Sequence, residues 1–127
     1  MTMQEAVAGR PSDSGGRRVR VLGQATVVQY EWGGAWVVGA RGSYDMDSVT
    51  DLADALAAAA EKHTKVVLEA SGITFADSVL LNVLILTHQA VDLRVAAPTE
   101  QLRRLLHITG VDTVLKVAQT LEEAAAD

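Results

Sequence analysis

Residues 65–97 read KVVLEASGITFADSVLLNVLILTHQAVDLRVAA, and this stretch decides the fold. Its periodicity divides it into four predicted segments: a strand over 65–70, a loop over 71–76, a helix over 77–90 and a strand over 93–97. The continuous run Val66–Leu68 suits a central strand that is covered on both faces. A strand, a helix and a second strand in this order predict a right-handed parallel crossover.

Upstream of this unit the sequence predicts a hairpin and a helix. Val28, Tyr30 and Trp32 alternate with other residues before Gly33-Gly34, and a glycine pair supplies the positive φ angles of a hairpin turn. Further apolar residues then recur at helical spacing after three candidate N-caps. These residues are Val49, Leu52, Ala53 and Leu56, and the candidate caps are Asp45, Asp47 and Ser48. They predict a helix of about fifteen residues.

Downstream, Pro98 and Thr99 mark the start of another helix, and Gly110 stands where a left-handed C-cap belongs. A short strand is predicted over 114–117. Thr120 and Glu123 have capping-box spacing, which predicts a short terminal helix. The order of elements gives an α/β fold, in which a small mixed sheet of an N-terminal hairpin plus parallel strands carries about four helices.

The length and composition indicate one domain. The chain has 127 residues, of which 49% are hydrophobic, enough for a single core and little more. Residues 1–18 lack apolar periodicity and are interpreted as a flexible tail, so the domain is placed at 19–127. A net charge of -5 argues against direct nucleic-acid binding. The absence of cysteine and of a long apolar run predicts a cytoplasmic protein without membrane insertion.

The sequence carries no common catalytic or metal-binding signature. It lacks a phosphate loop of the Walker type, a dinucleotide-binding glycine motif, a zinc-protease motif and a serine elbow. His63, His88 and His107 lie near the ends of three different predicted helices, and no two of them have ligand spacing. We therefore expect no metal site. A serine nucleophile at Ser78 with a distant histidine base stays open as an enzymatic alternative.

The segment Phe75–Ser78 brings a carboxylate and a hydroxyl to a helix N-terminus. Unpaired N–H groups and a partial positive charge at that place stabilise an anion, so a phosphate on Ser78 is tolerated there. The structural alternative is that Asp77 or Ser78 acts only as an N-cap.

A helical wheel predicts which sides of this helix are polar and apolar. Ser78, Asn82 and Gln89 share one stripe, Val79, Ile85 and Leu86 flank it, and Leu80, Leu84 and Val91 face the opposite way. The stripe and its flanks predict either a protein-contact patch beside Ser78 or, alternatively, a nearly buried helix.

Three ordered motifs resemble the sulfate transporter and anti-sigma factor antagonist (STAS) domain family, in particular its bacterial anti-anti-sigma branch. Residues 42–45 (GSYD) are similar to the family's G-E-L-D. Residues 66–69 (VVLE) and 74–78 (TFADS) resemble V-L-D-L and F-M-D-S-S-G-L-G, and residues 102–111 (LRRLLHITGV) are similar to L-x-x-L-x-x-x-G-L. The resemblance spans most of residues 25–125.

The resemblance implies a non-enzymatic antagonist of an anti-sigma factor. In the family, the unphosphorylated domain binds an anti-sigma factor serine kinase and releases a sigma factor, and phosphorylation of the serine at the position of Ser78 ends the antagonism. A serine phosphatase would reverse it. The implied partner-binding residues are Asp45, Asp77, Ser78, Val79, Asn82 and Leu86. No cofactor is expected, because ATP and magnesium would belong to the kinase.

The motif also departs from the common family pattern. Leu80 and Asn82 stand where that pattern has glycines, which predicts a less accessible helix start. The alternative function is a STAS interaction subunit of a transporter or signalling scaffold that works without phosphorylation.

Overall fold

The structure is a computed structural model that describes residues 25–126. The tail predicted over residues 1–18 and the domain start predicted at residue 19 lie outside the described residues. The elements are, in chain order, β1 (Thr26–Trp32), β2 (Ala35–Tyr44), α1 (Val49–Lys62), β3 (Lys65–Ala76), α2 (Ser78–Ala90), β4 (Asp92–Ala96), α3 (Glu100–Thr109), a 3-10 helix (Val111–Thr113), β5 (Lys116–Ala118) and α4 (Leu121–Ala125).

The strands form one mixed sheet in the order β1-β2-β3-β4-β5. β1 and β2 are antiparallel, and β2, β3, β4 and β5 are parallel to one another. Gly33 and Gly34 join the hairpin with φ angles of 60° and 82°, as the glycine pair predicted. The mixed sheet with four helices confirms the predicted fold class.

The helices cover the two faces of the sheet unequally. α1, α2 and α3 pack on one face around the main core, whose fully buried members include Val38, Leu68 and Leu84. α4 packs on the other face against a smaller cluster that includes Val37 and Val67. β2 and β3 thus place side chains in both cores, and each buried Val or Leu contributes about 1.5–3 kcal/mol.

The predicted helix ends are confirmed for α3 and α4. Thr99 caps α3 by accepting a hydrogen bond from the N–H of Leu102 at 3.3 Å, and Gly110 follows in the left-handed conformation with φ 80°. Thr120 caps α4 by accepting from the N–H of Glu123 at 3.1 Å. Both polar caps satisfy N–H groups that a helix leaves unpaired.

The loop predicted over 71–76 is wrong, because β3 continues to Ala76. The register with β2 shifts between Gly39 and Arg41 and again between Gly42 and Ser43, so β3 carries extra residues at two bulges. Ser71 and Gly72 are loop formers in isolation, but pairing with β2 keeps them in the strand. The extension carries the strand directly to Asp77.

The strand predicted over 114–117 is displaced by one to two residues. Val114 lies outside the sheet and is exposed, whereas Lys116–Ala118 pairs with β4. The 3-10 helix Val111–Thr113 lies between Gly110 and this strand. β5 is therefore shorter and later than its apolar pattern indicated.

Candidate functional site

The register of β2 and β3 brings two acidic residues to the same edge of the sheet. Tyr44 lies opposite Ala76 in this parallel pair, and Asp45 and Asp77 come directly after them. The carboxyl ends of neighbouring parallel strands meet at one edge, where functional loops of α/β sheets gather. Strand pairing thus brings the end of β2, followed by Asp45, to the same edge as the end of β3, followed by Asp77.

Asp77 is the N-cap of α2. Its Oδ1 accepts a hydrogen bond from the N–H of Val79 at 3.0 Å, and its backbone is extended. Gln101 on α3 donates from Nε2 to the carbonyl of Ala76 at 3.0 Å, which fixes the end of β3 just before the cap. The Asp77 cap and the hydrogen bond from Gln101 on α3 therefore both fix the position of the helix start.

Ser78 is the first residue of α2, and its side chain is exposed. Its hydroxyl forms no hydrogen bond with any residue in the described range 25–126. Of the two capping alternatives, the structure selects Asp77 and leaves the Ser78 hydroxyl available. The serine therefore lies at the positive end of a helix of 13 residues without serving that helix structurally.

Asp45 organises the loop between β2 and α1. Its Oδ1 accepts hydrogen bonds from the N–H groups of Asp47 at 3.0 Å and Ser48 at 3.1 Å. The Ser48 hydroxyl donates to the carbonyl of Ser43 at 2.8 Å. Asp45 is exposed but is held by these bonds, so its negative charge has a fixed place at the sheet edge where Asp77 also lies.

The exposed side of α2 follows the wheel prediction. Ser78, Asn82 and Gln89 are exposed, whereas Leu80 and Leu84 are buried on the core side. The apolar flanks are uncovered to different degrees: Leu86 is 55% exposed, and Val79 and Ile85 are half-buried. The structure thus shows a partly exposed apolar flank on α2, and the alternative of a nearly buried helix does not hold.

Two further apolar side chains lie beside Asp45 and Asp77. Met46 is 76% exposed and Phe75 is 45% exposed. Met46 directly follows Asp45, and Phe75 stands two residues before Asp77. Sequence reasoning missed both, although an apolar residue between Asp45 and Asp47 in a predicted loop is a signal for Met46. We define the switch surface as Asp45, Met46, Phe75, Asp77, Ser78, Val79, Asn82 and Leu86.

The two departures from the family motif differ in consequence. Leu80 is completely buried, so the prediction that it obstructs the helix start is wrong. Asn82 is exposed on the same side as Ser78, one helical turn further along. Asn82 is therefore the departure that changes the surface a partner would meet.

The histidines lie away from Ser78. Each stands at or just after the C-terminal end of α1, α2 or α3, and these helix ends lie at the amino edge of the parallel strands. The His63 ring stacks on Trp36 with centroids 4.6 Å apart. His88 Nδ1 accepts from the N–H of Leu93 at 3.3 Å, and His107 Nδ1 lies 3.1 Å from a carboxylate oxygen of Asp112. No histidine is placed to act as a base for Ser78.

Residues 25–126 contain no group of three or more His, Asp or Glu side chains placed to hold a metal ion. Within the same range no helix is long and apolar enough to span a membrane.

The family of the chain follows from a family model described as "Mlab, STAS domain", which matches residues 28–119. This chain belongs to the STAS domain family. The matched range begins in β1 and ends after β5, so it includes most of β1, the other four strands and the switch surface. The chain has no significant match among curated proteins.

Solved structures with the same STAS fold include anti-sigma factor antagonists. An anti-sigma factor antagonist from Mycobacterium paratuberculosis superposes with a TM-score of 0.76 at 27% identity, over 84% of this chain and 95% of that one. A STAS domain protein from Planctomyces limnophilus gives 0.68 at 16% identity, over 78% and 93%. The phosphorylated form of the Bacillus cell fate determinant SpoIIAA gives 0.60 at 16% identity, over 78% and 96%.

Proposed function

We propose that this STAS domain is an anti-sigma factor antagonist that binds an anti-sigma factor serine kinase when Ser78 is unphosphorylated and loses that binding when Ser78 is phosphorylated. The observation that carries the proposal is the exposed Ser78 hydroxyl, which Asp77 releases from capping. A serine phosphatase would restore binding. The domain itself uses no cofactor, and it acts in the cytoplasm with the kinase.

The local backbone supports a phosphorylated state. Ser78 occupies the first turn of α2, where unpaired N–H groups and the helix dipole favour negative charge. A phosphoryl group adds about 1.5 to 2 negative charges at neutral pH. The helix terminus accommodates this charge, so phosphorylation leaves the domain folded.

The same charge opposes partner binding. Asp45 and Asp77 already make the edge acidic, and the carboxylate of Asp45 is fixed by hydrogen bonds. A phosphate on Ser78 adds negative charge to this acidic edge, which a bound partner must desolvate, and this costs binding free energy. Phosphorylation thus acts on the complex, with little effect on the fold.

The apolar members of the switch surface supply the contact. Met46, Phe75 and Leu86 are exposed around the acidic edge, and Val79 is half-buried next to Ser78. Apolar anchors near the centre of an interface contribute most of its binding energy. We expect the kinase to place an apolar groove over these side chains and polar groups over Asn82.

The test combines phosphorylation with binding. The full chain is incubated with the anti-sigma factor serine kinase of the same organism and ATP, and the modified residue is located by peptide mass spectrometry. Binding to the kinase is then measured by calorimetry for the wild type, Ser78→Ala and Ser78→Asp. We expect label on Ser78, near-normal binding of Ser78→Ala, and at least about tenfold weaker binding of Ser78→Asp, a loss of about 1.4 kcal/mol.

Ser71 offers a matched control. It is an exposed serine on β3, outside the switch surface, so Ser71→Asp adds the same charge to the same strand-helix unit. We expect Ser71→Asp to bind like the wild type. Kinase binding that is equal for wild type and Ser78→Asp, with no label on Ser78, would refute the switch and favour the phosphorylation-independent interaction subunit.

A further inference from the structure

A cleft of about 500 Å³ lies between α3 and β5, the strand at the opposite end of the sheet order from β1. Ligand pockets in proteins commonly have a volume of this order. The apolar lining of the cleft includes Leu106 of α3, which is fully buried, and Val117 and Ala118 of β5. None of the lining residues belongs to the switch surface. The cleft is therefore a separate candidate binding site.

The rim of the cleft has a fixed backbone conformation. Ala97 lines the cleft between β4 and α3 and is left-handed, with φ 53°, a conformation that is unfavourable for residues other than glycine. Its N–H donates to the carbonyl of Ala118 at 2.9 Å, so the turn is joined to the end of β5. Backbone strain of this kind is concentrated at ligand sites and active sites. The cleft is thus preformed at this end.

Opposite charges line the two ends of the cleft. Arg103 lies near the start of α3, and its guanidinium forms no ion pair or hydrogen bond with any of residues 25–126. Asp112 follows α3, and its Oδ2 lies 3.1 Å from His107 Nδ1, whereas its Oδ1 has no partner in the same range. Because a helix rises by about 1.5 Å per residue, Arg103 and the end of α3 beside Asp112 are about 10 Å apart.

β5 adds backbone hydrogen-bonding groups to the cleft. Alternate residues of a strand direct their N–H and C=O groups to opposite sides. The carbonyl of Ala118 accepts from Ala97 on the β4 side, so the N–H and C=O of Val117 point away from β4. Outside the β4–β5 ladder, no backbone group of residues 25–126 bonds to them. Val117 therefore offers one donor and one acceptor where the sheet meets the cleft.

We infer that the cleft binds a short peptide with free ends, extended and parallel to β5. β5 runs from the Asp112 end of the cleft to the Ala97 end. A parallel peptide then places its ammonium group near Asp112 and its carboxylate near Arg103, where charge-assisted hydrogen bonds are strong. An antiparallel peptide would meet a like charge at each end.

The length and the backbone of the peptide follow from the same geometry. At about 3.3 Å per residue, a span of about 10 Å corresponds to about three or four residues. The peptide backbone pairs with the N–H and C=O of Val117, and its side chains on one face contact the apolar lining. This is strand addition at an exposed sheet edge, in which backbone hydrogen bonds supply affinity.

Calorimetry of the full chain with a defined probe tests the inference. The probe is the tetrapeptide Thr-Val-Thr-Val with free ends, and the control is the same peptide acetylated and amidated. The proposed site recognises the backbone and the two ends, so the probe needs no special side chain. We expect saturable binding of the free peptide with a Kd below about 1 mM, and binding of the blocked peptide that is at least about tenfold weaker.

Two neighbouring arginines provide matched variants. Arg103→Gln should weaken binding of the free peptide at least about tenfold, and it should leave binding of a peptide amidated only at its carboxyl end unchanged, because the two changes remove the same contact. Arg104→Gln is the control. Arg104 is 66% accessible, pairs with Glu100 and does not line the cleft, so this variant should bind the free peptide like the wild type.

Amide exchange shows whether the peptide pairs with β5. At saturating peptide we expect the N–H of Val117 to exchange at least about tenfold more slowly than in the free protein, because it is then hydrogen-bonded. An exchange rate of Val117 that the bound peptide does not change overturns the strand addition.

The binding measurements can also overturn the inference. Absence of saturable binding at millimolar peptide, or equal affinities for the free and blocked peptides, means that the cleft does not recognise peptide ends. Equal binding by the wild type and Arg103→Gln removes Arg103 from the site. Displacement of the peptide by an equal concentration of acetate means that Arg103 binds a carboxylate alone.

Discussion

The carboxylate of Asp77 accepts a hydrogen bond from the N–H of Val79 at 3.0 Å, and this bond decides which of two adjacent residues serves the helix. Because Asp77 satisfies the N–H of the second residue of α2, Ser78 has no capping role. An aspartate and a serine with equal capping propensity therefore have separate tasks. One holds the helix, and the other presents a free hydroxyl.

We expect Asp77→Ala to lower the free energy of unfolding by about 1 kcal/mol, within the usual range of about 0.5–2 kcal/mol for a lost N-cap. Ser78→Ala should change it by less than about 0.5 kcal/mol, as for other exposed positions without a structural bond. Urea unfolding followed by circular dichroism measures both. Asp77→Asn is the control. Asparagine also caps well, so this variant should keep most of the unfolding free energy that Asp77→Ala loses. A larger loss for Ser78→Ala than for Asp77→Ala would contradict the assignment of the cap.

The stability of the domain should fall at high pH because of Tyr44. Its side chain is buried, and its hydroxyl donates to the carbonyl of Thr26 at 2.7 Å. Burial raises the pKa of Tyr44 from 10.0 to about 12. Between these values the unfolded chain releases the proton and the folded chain retains it, so stability decreases as the pH rises. At about 1.4 kcal/mol for each pKa unit, the loss reaches about 2–3 kcal/mol.

The variant Tyr44→Phe removes this pH dependence, and its stability at each pH is compared with that of the wild type. At pH 7 the variant should be less stable by about 1 kcal/mol, because the Thr26 carbonyl loses its partner. Above pH 10 the difference from the wild type should shrink and then reverse, since phenylalanine does not titrate. Parallel stability curves for the two proteins from pH 7 to 12 would rule out a Tyr44 contribution.

Local sequence signals were sufficient where one residue type determines the backbone. Gly33-Gly34, Thr99, Gly110 and Thr120 all perform the predicted task, because turns and caps depend on near neighbours. The order of strands and helices then followed from periodicity. The length of β3 could not be predicted from periodicity. β3 passes through Ser71 and Gly72 because this part of the strand pairs with β2.

The candidate site could also be predicted from the sequence only in part. Ser78 and its neighbours on α2 could be placed by helical spacing, and so could the buried side of Leu80. The capping role of Asp77 could not be distinguished from one by Ser78, because both choices satisfy the same spacing. Phe75 is exposed in an extension of β3 that has no periodic signal, so its place in the switch surface required the register.

Arg94 should stabilise the packing of α4 on the sheet. Its guanidinium donates to the carbonyl of Ala124 at 2.9 Å and to that of Ala126, and it pairs with Asp92 at 2.8 Å. Because its side chain is only 11% exposed, we expect Arg94→Met to lower the free energy of unfolding by at least about 2 kcal/mol, as for hydrogen bonds made by a charged group.

Arg104 is the matched comparison for Arg94. It forms an exposed i,i+4 pair with Glu100 at 3.1 Å, with 66% of its side chain accessible. Such pairs contribute about 0.3–0.5 kcal/mol, so Arg104→Met should have a small effect. Thermal unfolding of the two variants in the same buffer makes the comparison, and equal melting temperatures would show that the α4 contacts add nothing to stability.

Leu84 and Leu86 lie two residues apart on α2 but should differ in what they support. Leu84 is fully buried against the sheet, whereas Leu86 is 55% exposed on the switch surface. Leu84→Ala leaves a cavity and should cost about 2–5 kcal/mol of stability. Leu86→Ala should cost less than about 0.5 kcal/mol while weakening kinase binding at least about fivefold, because an exposed apolar anchor is lost from the interface. Chemical denaturation gives the first quantity and calorimetry with the kinase gives the second. Leu86→Ala that binds like the wild type would remove the apolar flank of α2 from the partner surface and leave the acidic edge and Ser78 as its centre.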